Sequence, residues 1–253
     1  MGVASSLVGF SIVDHAPRTF SSPPRRPLDH ALAVGLPTLG ALLIEPRLDL
    51  SLIRLAHGGH GLDVIGELQP DTPYRTTATV AALSSGHDGN ELDVELVTRG
   101  PGEAVVTVAM ASIVLRSARR QRERHGADTN TDTDADTDDA IPAEAIAMRL
   151  TCERADLPAF SAALGDHNPI YVDDDAARQA GLPGVILPQL GVVSLVADAL
   201  GLAVRLLRVR LKRPALATDA LTLRHWMQAD GRHFVVHTEA GAVVVAGRIG
   251  DAA

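Results

Sequence analysis

Asp166, Asn168 and Tyr171 lie within six residues of one another in the run Gly165-Asp166-His167-Asn168-Pro169-Ile170-Tyr171. A carboxyl group, an amide and a phenol at this spacing are equipment for general acid–base chemistry. The carboxyl can take a proton or give one, and the amide can fix the loop or orient the carboxylate. Pro169, with its φ held near −65°, suits the first position of a helical turn. Such a turn would bring Tyr171, five residues after Asp166, to face the same cavity. A phenol has an ordinary pKa near 10, so at neutral pH it donates a proton and is a poor base. Three roles stand open for Tyr171: proton donor, hydrogen-bonding wall of a repurposed cavity, or mark of a dead site. Neighbouring residues of an extended loop point opposite ways. His167 is therefore at most a substrate-contacting position and not a catalytic one.

The elements around this run must hold it in place. Gly181-Leu182-Pro183-Gly184 reads as a turn leading into an apolar helix over Gln189–Leu202. Its entry is Pro188-Gln189-Leu190-Gly191. After it, Leu206–Leu211, Ala220–Ala229, His233–Glu239 and Ala242–Ile249 read as strands, with turns at Ala229-Asp230-Gly231 and Ala240-Gly241. An earlier stretch has a similar plan. An apolar helical segment, Leu28–Leu43, broken by Pro37, precedes strands over Tyr74–Leu83, Glu91–Arg99 and Ala104–Leu115, with His87-Asp88-Gly89-Asn90 as a turn. One helix and one antiparallel sheet, twice over, is an α+β duplication. Between the halves, residues 127–140 read ADTNTDTDADTDDA, a Thr/Asp tract too polar to offset its own ordering entropy and therefore expected to be mobile. An arginine run before it (Arg116, Arg119, Arg120, Arg122, Arg124) reads as a solvated segment end balanced by that acidity.

The segment FSAALGDHNPIYVDDDAARQAGLPGVILPQLG resembles the MaoC-like (R)-specific enoyl-thioester hydratase and dehydratase family, whose signature runs roughly GDxNPIH and then GxxxHG. Val209-Arg210-Leu211-Lys212-Arg213-Pro214 and Asp219-Ala220-Leu221 are similar to its FKRP…GDxL element. Leu36-Pro37-Thr38-Leu39, Arg54-Leu55-Ala56-His57-Gly58 and Leu68-Gln69-Pro70 look like landmarks of the degenerate first half in two-domain members. The resemblance implies a double hot-dog fold, two antiparallel sheets each wrapping a helix. Its divisions would be a degenerate N-terminal hot-dog at 1–122, an acidic linker at 123–145 and a MaoC-like C-terminal hot-dog at 146–253. One site would lie in the second half, with a tunnel shaped partly by the first. The resemblance carried by this segment also implies Pro188, Gln189, Leu190 and Gly191 as substrate-contacting positions. The departures from the signature are specific. Tyr171 stands where the family has its catalytic histidine, Pro188 where the second stretch has its histidine, and Gln189 where it has glycine.

From this resemblance comes an expected lyase acting on an apolar enoyl or 3-hydroxyacyl thioester, carried by coenzyme A or a carrier protein. Asp166 would be the main acid/base, Tyr171 a weakened partner and Asn168 a positioner. An alternative keeps the cavity and turns it to cyclising a reactive polyketide-derived intermediate by oxa-Michael closure, elimination or cycloaddition. Orientation alone supplies on the order of 7–11 kcal/mol of a barrier in favourable cases. A third reading is a non-catalytic subunit that shapes an active homologue's tunnel.

The bulk properties agree with a small-molecule enzyme. The 253 residues suffice for one large domain or two small ones. Aromatic residues are 3% of the chain and its formal charge is −8, which argues against nucleic acid. A single cysteine, Cys152, fits a reducing compartment. With no basic leader followed by a clean apolar run, a cytoplasmic location is expected. The uncharged stretch Ala180–Ala197 is long enough for a membrane span, but its glycines and prolines make it a core helix. His57 and His60, in HGGH, read as a flexible loop rather than a metal site. Asp173-Asp174-Asp175 reads as acidic helix-start residues, and His225, His233 and His237 as surface or half-buried strand positions. Trp226 is expected to pack on a sheet face. No phosphate loop and no nucleophile elbow is present, so neither a cofactor nor a metal is expected. A homodimer is the expected assembly.

Overall fold

The structure is a computed structural model and describes residues 7–13, 27–50, 55–86, 89–116, 141–152, 154, 157–163, 166 and 168–250. Most of the expected linker and all of the arginine run after Arg116 lie outside these residues, as does His167.

Each half has one strand, a long helix and four further strands in that order, and the second adds two short helices before its long one. The first runs β1 (Ser11–Val13), α1 (Pro27–Leu43), β2 (Leu55–Val64), β3 (Arg75–Gly86), β4 (Gly89–Arg99) and β5 (Val105–Arg116). In the second come β6 (Ile146–Leu150), two short helices α2 (Leu157–Ala163) and α3 (Asp174–Gln179), the helix α4 (Gln189–Ala199), then β7 (Leu206–Leu211), β8 (Leu221–Gln228), β9 (Gly231–Thr238) and β10 (Val243–Gly250). The strands follow the order β1-β3-β4-β5-β2-β7-β10-β9-β8-β6. The second half therefore repeats the first in reverse, and β2 pairs antiparallel with its own counterpart, β7.

That pairing changes one expectation. The strands form one continuous ten-stranded sheet, not two. Its seam is the ladder from Gly59–Arg210 to Asp63–Leu206. On the outer face of the seam, Arg208 donates to both carboxylate oxygens of Asp63 at 2.9 and 2.8 Å and to the carbonyls of Leu62 and Leu207. A second correction concerns HGGH, which is not a loop. His57 through His60 sit inside β2, with a bulge between His57 and Gly59.

Strict alternation builds the inner face. Leu92, Val94 and Leu96 of β4, Ala78 and Val80 of β3, and Leu221, Leu223, Phe234 and Val236 of β8 and β9 are buried, and the residues between them are more exposed. They join Leu28, Leu32, Leu39 and Leu42 of α1 and most of α4 in one core cluster that spans both halves. Every residue of α4 from Leu190 to Ala197 is buried, as a helix enclosed on all sides requires.

Pro37 does not break α1, which runs unbroken through it. A proline has no N–H for the carbonyl four residues back, so the helix loses one bond there. Beside that gap the hydroxyl of Thr76 donates to the carbonyl of Val34 at 2.7 Å and lies 2.9 Å from that of Thr98. This buried polar tie pins the helix to β3 and β4.

Candidate active site

The loop that carries Asp166 leaves α2 and is closed on itself. The Asp166 N–H donates to the carbonyl of Ser161 at 3.1 Å, and the buried Ser161 hydroxyl donates back to the carbonyl of Asp166. Two successive side-chain-to-backbone turns follow. One oxygen of the Asp166 carboxylate accepts the N–H of Asn168 at 3.2 Å, and the amide oxygen of Asn168 accepts that of Ile170, also at 3.2 Å. Asn168 thereby caps a single 3₁₀ turn, Pro169–Tyr171, with Pro169 at its first position. Asp, Asn and Pro are the residue types that favour such turns, so the local sequence explains this geometry.

The turn delivers Tyr171 to Asp166, and the phenol is hydrogen-bonded to the carboxylate. Burial pushes the phenol well above its usual range, and the Asp166 charge and the hydrogen bond push the same way. Tyr171 therefore stays protonated and donates to Asp166. Both residues are half-buried, whereas Asn168 is exposed with its oxygen spent on the cap.

The helix entry is tied to the same turn. The Ile186 N–H donates to the carbonyl of Ile170, next to Tyr171, at 3.3 Å. On the other side, Leu187 donates to Ala215 at 2.8 Å and Ala217 to Val185 at 2.9 Å. Asp174 adds a clamp: its carboxylate accepts the Val185 N–H at 3.1 Å and the Arg154 guanidinium at 2.6 Å. The Arg154 bond, followed by that to Val185, holds this carboxyl below its ordinary range. Asp173 caps α3 by accepting from Asp175 and Ala176, which accounts for the acidic triplet as a helix start.

Of the positions expected to touch substrate, Gln189 has another task. Its amide donates to the carbonyls of Arg213 at 3.3 Å and Val244 at 3.1 Å, fastening the start of α4 to the sheet. A glycine in its place would remove both bonds and leave the Val244 carbonyl with the Lys212 N–H alone. Pro188 is buried at the N-cap, and Leu190 and Gly191 are buried in the first turn, Leu190 within the core. The first-turn N–H groups of α4 have no acceptor within the helix and carry its positive dipole end. Ser161 and Arg154 have no signal in sequence, and Asp174 shows there only as a helix-start acid, not as a clamp. They are ordinary polar residues whose roles exist only because the chain returns to them.

Other histidines behave differently from expectation in places. His225 is buried, not on the surface, with its Nδ1 3.1 Å from Arg232. His233 stacks on Trp226 at 5.9 Å and bonds Asp230. Among the described residues no group of three or more His, Cys, Asp or Glu side chains gathers to hold a metal. No helix among them is long and apolar enough to cross a membrane.

Comparison with known proteins places these features. Residues 142–240 match the family described as FAS1-like, dehydratase domain region. A 92-residue stretch is 36% identical to the 3-oxo-4,17-pregnadiene-20-carboxyl-CoA hydratase alpha subunit of Mycobacterium tuberculosis, covering 32% of this chain and 30% of that protein. The chain thus spans under a third of that relative's length. A MaoC-like dehydratase from Phytophthora capsici superposes with a TM-score of 0.68 at 14% identity, over 97% of this chain and 96% of its own. A Mycobacterium tuberculosis protein with a double hot-dog fold, Rv0216, superposes with a TM-score of 0.54 at 14% identity, over 96% and 95% of the two chains.

Proposed function

The chain belongs to the MaoC-like hot-dog dehydratases, and from that premise we propose that it is a lyase. It adds water across, or removes it from, the double bond of an apolar enoyl or 3-hydroxyacyl thioester. The observation that carries this reading is the hydrogen bond from Tyr171 to Asp166, which puts an acid and a base in contact where the family pairs an aspartate with a histidine.

A proton route follows from that contact. The Asp166 carboxylate takes a proton from water as the water oxygen bonds to the β-carbon. Electrons shift into the thioester, and its oxygen charge is met by the first-turn N–H groups of α4. The α-carbon then takes the phenol proton of Tyr171. The proton now on Asp166 passes to the phenolate, and both side chains return to their starting state. Neutralising Asp166 first helps the phenol give up its proton, because it removes the charge that adds to burial in opposing phenolate formation. Running the steps backwards eliminates water. A hydroxyl within the substrate can replace water on the same route, and the product is then a cyclic ether. The apolar residues at the start of α4 favour an apolar acyl chain. The named acyl-CoA relative supports coenzyme A as the thioester carrier.

The test is turnover of a series of enoyl- and 3-hydroxyacyl-CoA thioesters, short to bulky, read by the absorbance of the conjugated double bond. Asp166→Asn lowers kcat by roughly 10²–10⁴-fold. Tyr171→Phe lowers it as well, while Tyr171→His restores the family's pairing and preserves or raises hydration. Unchanged kcat in Asp166→Asn on a turned-over substrate would refute the assignment.

A further inference from the structure

His57 and His60 are three residues apart, a spacing that puts two side chains on opposite faces of a regular strand. Here both face inward. His57 pairs with Ile113, and His60 pairs with Ala111 on one side and Val209 on the other; all three partners belong to the core. The bulge between His57 and Gly59 produces this, by inserting the extra residue that restores the inward phase. Both glycines serve it. A Cβ on Gly58 would lie 2.9 Å from the Val114 side chain, and one on Gly59 would lie 3.2 Å from the Val209 carbonyl of the facing half. The two rings meet edge to face with centroids 5.3 Å apart. His60 is 4% exposed, and Nε2 of His57 and Nδ1 of His60 are buried without a hydrogen-bond partner among the described residues.

Among the described residues, the strand positions that face the two rings carry no acid. On β5, Ala111, Ser112 and Ile113 oppose them, and the Ser112 hydroxyl is spent on Asp93 of β4 at 2.5 Å. On β7, Arg208 and Arg210 flank Val209 and so take the opposite face, where Asp63 also pairs with Arg208. The helix layer holds the buried Asp29 and His30 on α1, and α4 has no titratable residue between Gln189 and Ala197.

We propose that this histidine pair makes the seam between the halves acid-labile: protonating either ring expels it from the core and unzips β2 from β7 while each half-sheet stays paired. The supporting shifts have the required sign. Burial above all holds His57 at about 4 and His60 at about 3, below the ordinary 6.5; the charge of His57 lowers His60 further, and a backbone bond to Gly59 opposes the shift of His57. A group depressed in this way stabilises the closed seam fully above about pH 6.5, and that contribution is lost as pH falls towards the folded values.

Hydrogen exchange of the full chain, from pH 7.5 to 5.0 and corrected for intrinsic rates, tests this. Carboxylates of ordinary pKa stay ionised over that window. Between pH 6.5 and 5.0 the opening constant of β2 and β7 amides rises by up to roughly tenfold per pH unit for each histidine, and that of β3 and β4, which carry no histidine, stays within about twofold. His57→Gln/His60→Gln keeps two neutral polar groups and flattens the slope. The wild-type result decides even if that variant folds poorly. Constant protection of β2 and β7 across the window, or equal loss over β3 and β4, overturns the proposal.

Discussion

At the residue scale the site is an exercise in reciprocal bonding. Asp166 is held through its backbone by Ser161, through its carboxylate by Asn168, and it receives the phenol of Tyr171. Ser161 touches no reacting atom in this arrangement, so it is a positioning residue. Losing its hydroxyl leaves the Asp166 carbonyl without that partner and lets the carboxylate wander. Ser161→Ala should lower kcat by about tenfold while KM stays within about twofold, and Ser161→Thr should recover most of the loss. Steady-state kinetics on a turned-over thioester would show it. Equal changes in kcat and KM would mean a disturbed pocket instead. The sequence left three roles open for Tyr171 and set it across one cavity from Asp166. It did not give their contact, because a spacing of five residues does not say how tight the turn is. Asp, Asn and Pro together made that turn, and each residue's preference was readable in advance.

At the element scale, close approach sets the tolerance. Gly247 of β10 faces Val209 of β7, and a Cβ there would overlap the carbonyl oxygen of Arg208 and come within 2.8 Å of the Val209 Cα. These are backbone atoms and cannot swing away. Gly247→Ala should therefore destabilise the fold by about 3 kcal/mol or more, measured by denaturant unfolding. A neighbouring change with free space, Gly250→Ala, should cost under about 1 kcal/mol. The hairpin strands of both halves were legible because their inner faces alternate cleanly. The strands β2 and β6 were not. In β2, Gly58, Gly59 and Gly61 dilute the apolar pattern, and the signature of a loop is what they leave behind. The glycines are there for packing, against Val114, Val209 and the Arg208 side chain. Proline 37 misled in the other direction, since a buried helix tolerates the lost bond once Thr76 and the sheet hold it.

At the scale of the whole molecule, the seam carries the two halves as one body. Its ion pair joins one guanidinium nitrogen to both carboxylate oxygens and is half-exposed, with side-chain exposures of 40% for Arg208 and 42% for Asp63. Screening limits such a pair to about 1 kcal/mol. Arg208→Met should lower thermal stability by that order at low salt, and by less in 1 M salt. A loss that persists at high salt would assign the effect to the arginine's carbonyl contacts rather than its charge.

The sequence alone determined what depends on neighbours in the chain: the Asp–Asn–Pro turn, the α4 helix with its glycine and proline entry, the hairpins, and the doubled order of elements. Propensity, side-chain period and turn chemistry act within a few residues, so a linear reading reaches them. Tertiary structure decided what depends on residues brought from afar. It joined the two sheets through β2 and β7, turned HGGH from an apparent loop into a bulged strand, gave Gln189 to the carbonyls of Arg213 and Val244, and set the Tyr171 phenol against the Asp166 carboxylate in a half-buried site. Burial and close packing impose those choices, and neither is a property of the residues themselves until the chain has closed around them.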